Sequence, residues 1–169
     1  VSTLLSNHDI ELMLAYEAYK KTNASTLDTR DTIGIIPEQK CSLKALSDSI
    51  GDVGKTCSPA IFKKLMDETY LPSVKLIDYS LSNTTPTHIT LFTHAPIQLS
   101  SIEAAAKALG AAYDGTTPER LAHSIDVINQ AFQERLQRGE LNTLYDGHSP
   151  SPIYSLISDR EENLESGSE

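Results

Sequence analysis

Twice in this chain a short apolar run breaks off into a polar, histidine-bearing turn, and a helical pattern follows. Val1-Ser2-Thr3-Leu4-Leu5 is short, apolar and partly β-branched, and reads as a buried strand. Ser6-Asn7-His8-Asp9 comes next. Ile10, Met13, Leu14 and Glu17 then recur at helical spacing to about Lys21. Further on, Thr87 to Thr93 reads as a strand that runs into His94-Ala95-Pro96. Alternating strands and helices predict an α/β or α+β fold. In such folds ligands sit at the carboxyl ends of strands, where both polar stretches fall.

The rest of the chain fills in around them. Thr22 to Lys40 is polar and irregular. Ser42 to Ile50 reads as a short helix ending at Gly51. Ser58-Pro59 reads as a cap followed by proline in the first turn, with Phe62, Leu65, Met66 and Tyr70 as an apolar stripe and Pro72 as the close. Val74 to Leu81 reads as one strand, antiparallel to Thr87–Thr93 across the turn Asn83-Thr84-Thr85-Pro86. Ser100 and Glu103 have capping-box spacing for a helix that stops at Gly110. Thr117-Pro118 opens the longest helix, with the stripe Leu121, Ile125, Ile128, Phe132 and Leu136 and a stop at Gly139. Ile153 to Ile157 reads as a last strand after the loop Asp146–Pro152. This predicts one domain over 1–158, with a helical or loop insertion over 22–72 and a frayed acidic tail over 159–169.

Composition excludes some function classes. The 169 residues carry a net charge of -9, and the tail concentrates Asp159, Glu161, Glu162, Glu165 and Glu169 against Arg160. Such a chain lacks the basic footprint of a nucleic-acid or anionic-membrane binder. No apolar run approaches the roughly 20 residues a membrane helix needs. Cys41 and Cys57 form no CxxC pair and no zinc-finger spacing, and read as two free thiols. Strand-like sequence begins at Val1 with no leader, so the chain is expected to be an internal stretch of a longer protein.

Asn7-His8-Asp9 supports two readings on its own. Asn offers a hard carbonyl oxygen, His a ligand nitrogen or a proton, and Asp a carboxylate that orients an imidazole. Alternatively, Asp9 caps the following helix and His8 faces solvent. His94 likewise reads as a metal ligand held where a strand meets solvent, or as a half-buried histidine bonded to backbone. His88, six residues earlier on the same face, is too far along an extended strand to share that site and reads as structural.

Taken together, Leu4-Leu5-Ser6-Asn7-His8-Asp9 and Leu91-Phe92-Thr93-His94-Ala95-Pro96 resemble two blocks of the calcineurin-like metallophosphoesterase family, which includes the serine/threonine protein phosphatases. Ser6 stands where that family usually has glycine. Ile153 to Glu161 resembles the arginine-bearing stretch before the family's last block, without its tryptophan. The branch it most resembles is the secreted-effector phosphatases of intracellular bacterial pathogens. The family's upstream aspartate blocks and final Gly-His block have no counterpart inside the chain. Gly51-Asp52-Val53-Gly54 has the wrong order for one, and Gly147-His148 reads as a loop.

The resemblance implies a partial calcineurin-like β-sandwich flanked by helices, with a helical insertion. It implies hydrolysis of a phosphoester by a hydroxide held between two divalent ions (Mn, Fe or Zn) in the intact protein. Asn7 and His94 would be metal ligands, His8 and Asp9 catalytic, and Arg160 a contact to substrate phosphate. Two neutral ligands hold a dication poorly, so weak or no metal binding by this chain alone is expected. The implied partner is a phosphorylated substrate, a phosphoprotein or a small phosphoester, with no nucleic acid and no membrane. The implied location is the cytoplasm, or the host cytosol for an effector. The contrasting readings are a non-catalytic acidic interaction module and a different two-metal hydrolase.

Overall fold

The computed structural model describes residues 2–22, 59–84, 87–144 and 151–158, apart from the side chains of His8, Glu11, Thr22 and Pro59. The expected helix 42–50, both cysteines, Gly51-Asp52-Val53-Gly54, Gly147-His148, Arg160 and the acidic tail lie outside the described residues.

In chain order the elements are β1 (Thr3–Leu4), α1 (Asn7–Thr22), α2 (Pro59–Leu65), β2 (Val74–Lys75), β3 (Asp78–Ser82), β4 (His88–Phe92), α3 (Leu99–Leu109), α4 (Pro118–Gln137), α5 (Leu141–Leu144) and α6 (Pro152–Ser158). Between α2 and β2 the helix widens into a π-helical turn, Met66–Tyr70, and closes with one α-turn, Leu71–Ser73. The mixed α/β class matches the reading of the sequence. The described strands form two two-stranded sheets. β1 and β2 run parallel, with Thr3 opposite Val74 and Leu4 opposite Lys75. β3 and β4 run antiparallel, as expected, from Asp78 opposite Phe92 to Ser82 opposite His88.

α4 supplies the spine of the core. Thr117 caps it by accepting the Arg120 N–H at 3.3 Å, and its stripe Leu121, Ile125, Ile128, Phe132 and Leu136 is buried. These side chains meet Leu5, Ile10, Met13 and Leu14 from the first strand–helix unit, Leu76 and Ile77, Ile102 to Leu109 of α3, and Ile153, Leu156 and Ile157 of α6. A second cluster joins Tyr16 of α1 to Phe62 and Met66. α1 is therefore apolar on two faces, one against the main core and one against α2. Each fully buried large apolar side chain contributes about 1.5–3 kcal/mol by leaving water.

Four expectations need correction. Ile153–Ile157 is helical. Ser151 accepts the Tyr154 N–H at 3.1 Å, its carbonyl accepts the Ser155 N–H, and Pro152 stands first in the helix. Residues 153, 156 and 157 then share one buried face at helical spacing. The Ser100–Glu103 capping box does not form. Gln98 is the extended cap residue, its carbonyl takes the first helical bonds, and Ser100 lies inside the helix. Gly110 does end α3, at φ 71°. Val74–Leu81 is two strands, split at Leu76–Ile77. The helix closed at Pro72 in the sequence reading runs one residue further, to Ser73.

Candidate active site

α1 begins three residues earlier than its apolar spacing suggests, at Asn7. The reason lies in Ser6 and Asp9. The Ser6 Oγ accepts the Asp9 N–H at 3.2 Å, while Asp9 Oδ2 accepts the Ser6 N–H at 2.9 Å and the Ser6 hydroxyl at 2.6 Å. This is a reciprocal capping box with aspartate in the third helical position. It also explains a serine where the resembled family has glycine: the hydroxyl is the cap. Asn7 and His8 thus occupy the first two helical positions, at the positive end of the helix dipole. Asn7 is half-buried.

The second oxygen of Asp9 is held from outside the turn. The Tyr70 hydroxyl donates to Asp9 Oδ1 at 2.5 Å, across 61 residues of chain. Burial, and then the bond to Asp9, push the Tyr70 hydroxyl far above its ordinary value. The sequence reading placed Tyr70 only in an apolar stripe. Nothing in local spacing marks a tyrosine whose hydroxyl finds a carboxylate in another helix.

His94 sits in the turn after β4 and is exposed. The Thr93 hydroxyl donates to the Ala95 carbonyl at 2.7 Å, which folds the chain back beside it, and Ala95 is buried. His88 opens β4, also exposed, at the far end of the strand from His94.

One bend gathers the ends of the two strands that lead into these turns. The Leu5 N–H, just before the Ser6 cap, donates to the Lys75 carbonyl at 2.8 Å. Phe92, just before Thr93-His94, pairs with Asp78. Lys75 and Asp78 flank the bend and form an ion pair at 2.9 Å. That bond leads in holding the Asp78 carboxyl below its usual range, with help from the Ser2 hydroxyl and the Tyr79 amide. Both strands that carry a candidate histidine turn therefore leave the sheets at the same four-residue corner, Lys75 to Asp78. The corner is set by α4. Asn129 accepts from the Leu76 and Ile77 amides and donates to the Ile77 carbonyl, and Gln133 donates to the Leu71 and Val74 carbonyls.

Asn7 and His94 are donor types that divalent ions take. Among the described residues, however, no group of three or more His, Cys, Asp or Glu side chains could hold a metal ion. The described residues therefore do not by themselves make up a metal site. The His8 side chain and Arg160 lie outside the described residues. No helix among those residues is long and apolar enough to cross a membrane.

Comparison with known proteins agrees with the fold. Residues 1–166 match the family model described as "WipA-like, phosphatase domain". Among solved structures the chain is similar to the crystal structure of the phosphatase domain from the Legionella effector WipB, with a TM-score of 0.73 and 27% identity. That match covers 95% of this chain and 57% of the other, so the chain spans little more than half the solved domain. No curated protein matches it.

Proposed function

Because the chain belongs to the family of WipA-like phosphatase domains, we propose that it forms part of a phosphatase that removes a phosphoryl group from a phosphoprotein or a small phosphoester. The observation that carries this reading is the shared corner. Two polar turns far apart in sequence, Ser6–Asp9 and Thr93–Pro96, emerge beside Lys75 and Asp78. By the same reading the protein is a bacterial effector that acts in a host cytosol, as the similarity to a Legionella effector domain suggests.

The finer proposal is calcineurin-like chemistry. In the intact protein Asn7 and His94 would hold one of two divalent ions, and Mn, Fe or Zn would suit them. The ions would supply charge to stabilise the phosphoryl oxygens and an activated hydroxide. The chain's own residues have separate tasks. His8, at the positive end of α1, gives a proton to the leaving oxygen. Asp9 orients His8 by holding the turn that carries it. The first-turn amides of α1 favour the phosphate's negative charge. Arg160 contacts the phosphate. The metal share offered here is too small for tight binding by this chain alone.

The test uses the full-length protein, loaded with Mn²⁺ and assayed on p-nitrophenyl phosphate and a phosphopeptide. His8→Ala is expected to lower turnover by two orders of magnitude or more, in line with the roughly 10²–10⁴-fold worth of a general acid, with metal content kept. His94→Ala is expected to lose metal. Equal metal loss in both variants overturns the assignment of roles. A wild-type protein inert on both substrates favours a non-catalytic relative.

A further inference from the structure

From the contact between Tyr70 and the first turn of α1, we infer that Tyr70 is a positioning residue for the phosphatase site, holding the Ser6–Asp9 turn in register through Asp9. The inference deepens the reading given under Proposed function and rests on it.

Three observations carry it. First, Asp9 is fully engaged as an anchor. One oxygen takes the Ser6 amide and hydroxyl, and the other takes the Tyr70 hydroxyl at 2.5 Å. The carboxylate therefore ties the turn to a separate element, and Asn7 and His8 lie between its two ends. Second, the chain builds a special turn to deliver that hydroxyl. Tyr70 ends the π-helical stretch Met66–Tyr70, where the Leu71 amide reaches back to the Met66 carbonyl. An α-helix completes a turn in 3.6 residues, so a side chain four positions on overshoots the circle. The wider π-turn undershoots it. Phe62 and Met66 pack on Tyr16, and Tyr70, four residues further, lies against both this cluster and the main core while its hydroxyl bonds to Asp9. Third, Tyr70 is anchored at its base. The Ser73 hydroxyl donates to the Tyr70 carbonyl at 2.8 Å, and Gln133 of α4 holds the next carbonyl, Leu71, at 2.9 Å. The same Gln133 grips Val74, one residue before the corner that both site turns share. Tyr70 thus links the acid-bearing turn to the framework that positions the other one.

A half-buried aromatic ring stabilises the protein whether or not its hydroxyl matters, so the test must separate the two. Tyr70→Phe keeps the ring and removes only the donor. In the full-length, metal-loaded protein it is expected to lower kcat for p-nitrophenyl phosphate by about tenfold, the low end for losing a group that orients a catalytic one. KM and metal content are expected to stay within about twofold. Asp9→Asn is expected to lower kcat similarly, and the double variant to be no worse than the lower single one. The assay is run at a temperature where circular dichroism shows each variant folded. An unchanged kcat in Tyr70→Phe, or singles whose losses multiply in the double variant, overturns the inference. If His8→Ala abolishes turnover while Tyr70→Phe keeps it, only the role of Tyr70 fails. If His8→Ala also keeps full turnover, the reading of the site fails, and the inference fails with it.

Discussion

Asn129 grips Ile77 at both ends of its peptide, donating to its carbonyl at 2.8 Å and accepting from its amide at 3.4 Å. The same side-chain oxygen takes the Leu76 amide at 2.9 Å. Leu76 and Ile77 are fully buried, so their backbone groups have no water to turn to. This one amide makes a sharp bend inside the core possible, and the strands leading to both candidate turns end at that bend.

Asn129→Leu keeps the volume and removes all three bonds. Each buried backbone group left without a partner costs about 1–3 kcal/mol. With local relaxation, a loss of about 2–4 kcal/mol is expected. Urea unfolding checks it through a lower midpoint at unchanged slope.

Glu17 of α1 is buried and accepts the Leu141 amide at 2.9 Å, capping α5, and the Lys21 ammonium at 2.6 Å. Its two contacts differ in worth. Glu17→Ala strands a buried amide and opens a gap beside it, and is expected to cost about 2–3 kcal/mol. Lys21→Ala removes the exposed side of the pair, and is expected to cost less than about 1 kcal/mol. Thermal unfolding of the two variants side by side tests the ranking.

Asp114 gives a pH signature. The Thr116 hydroxyl and amide, and then Arg120 at 2.7 Å, lower its carboxyl from 3.8 to about 2. A lowered folded value means stability that is present above the unfolded value and lost as the folded group protonates. That loss falls between about pH 4 and pH 2. The group is solvent-exposed, so the effect is small and shrinks with salt. Wild type is expected to show a steeper fall in Tm across that window than Asp114→Asn. Identical pH profiles would refute the assignment.

The Ser151 cap accounts for a helix where a strand was expected. Ser151→Ala removes the acceptor for the Tyr154 amide, and is expected to cost about 1 kcal/mol. Ser151→Asp, a better cap with a charge suited to the helix start, is expected to be neutral or stabilising. Chemical denaturation of both distinguishes a cap from a mere surface serine.

Local chemistry was readable wherever a side chain's role depends on its near neighbours. The stripe of α4 follows from 3.6-residue spacing, and its start follows from Thr117-Pro118, because caps and periodicity act within a few residues. The strand reading of Ile153–Ile157 leaves out the cap at Ser151-Pro152, and the strand preference of β-branched Ile153 and Ile157 is weaker than their burial on a helical face. The turns holding Asn7, His8 and His94 stood out because polar residues end apolar strands. Their common location did not. Phe92 pairs with Asp78 and Leu5 bonds to Lys75 only because Asn129, more than fifty residues away, stabilises a bend in what reads as one unbroken strand. In the same way Asp9 was legible as a cap, but its bond to Tyr70 was not, since a hydrogen bond across 61 residues leaves no period in the sequence. Sequence alone determined which residues could carry chemistry and the class of fold that holds them. Tertiary structure alone decided where the strands that carry them end, because buried backbone polar groups must find partners wherever the packed chain brings one within reach.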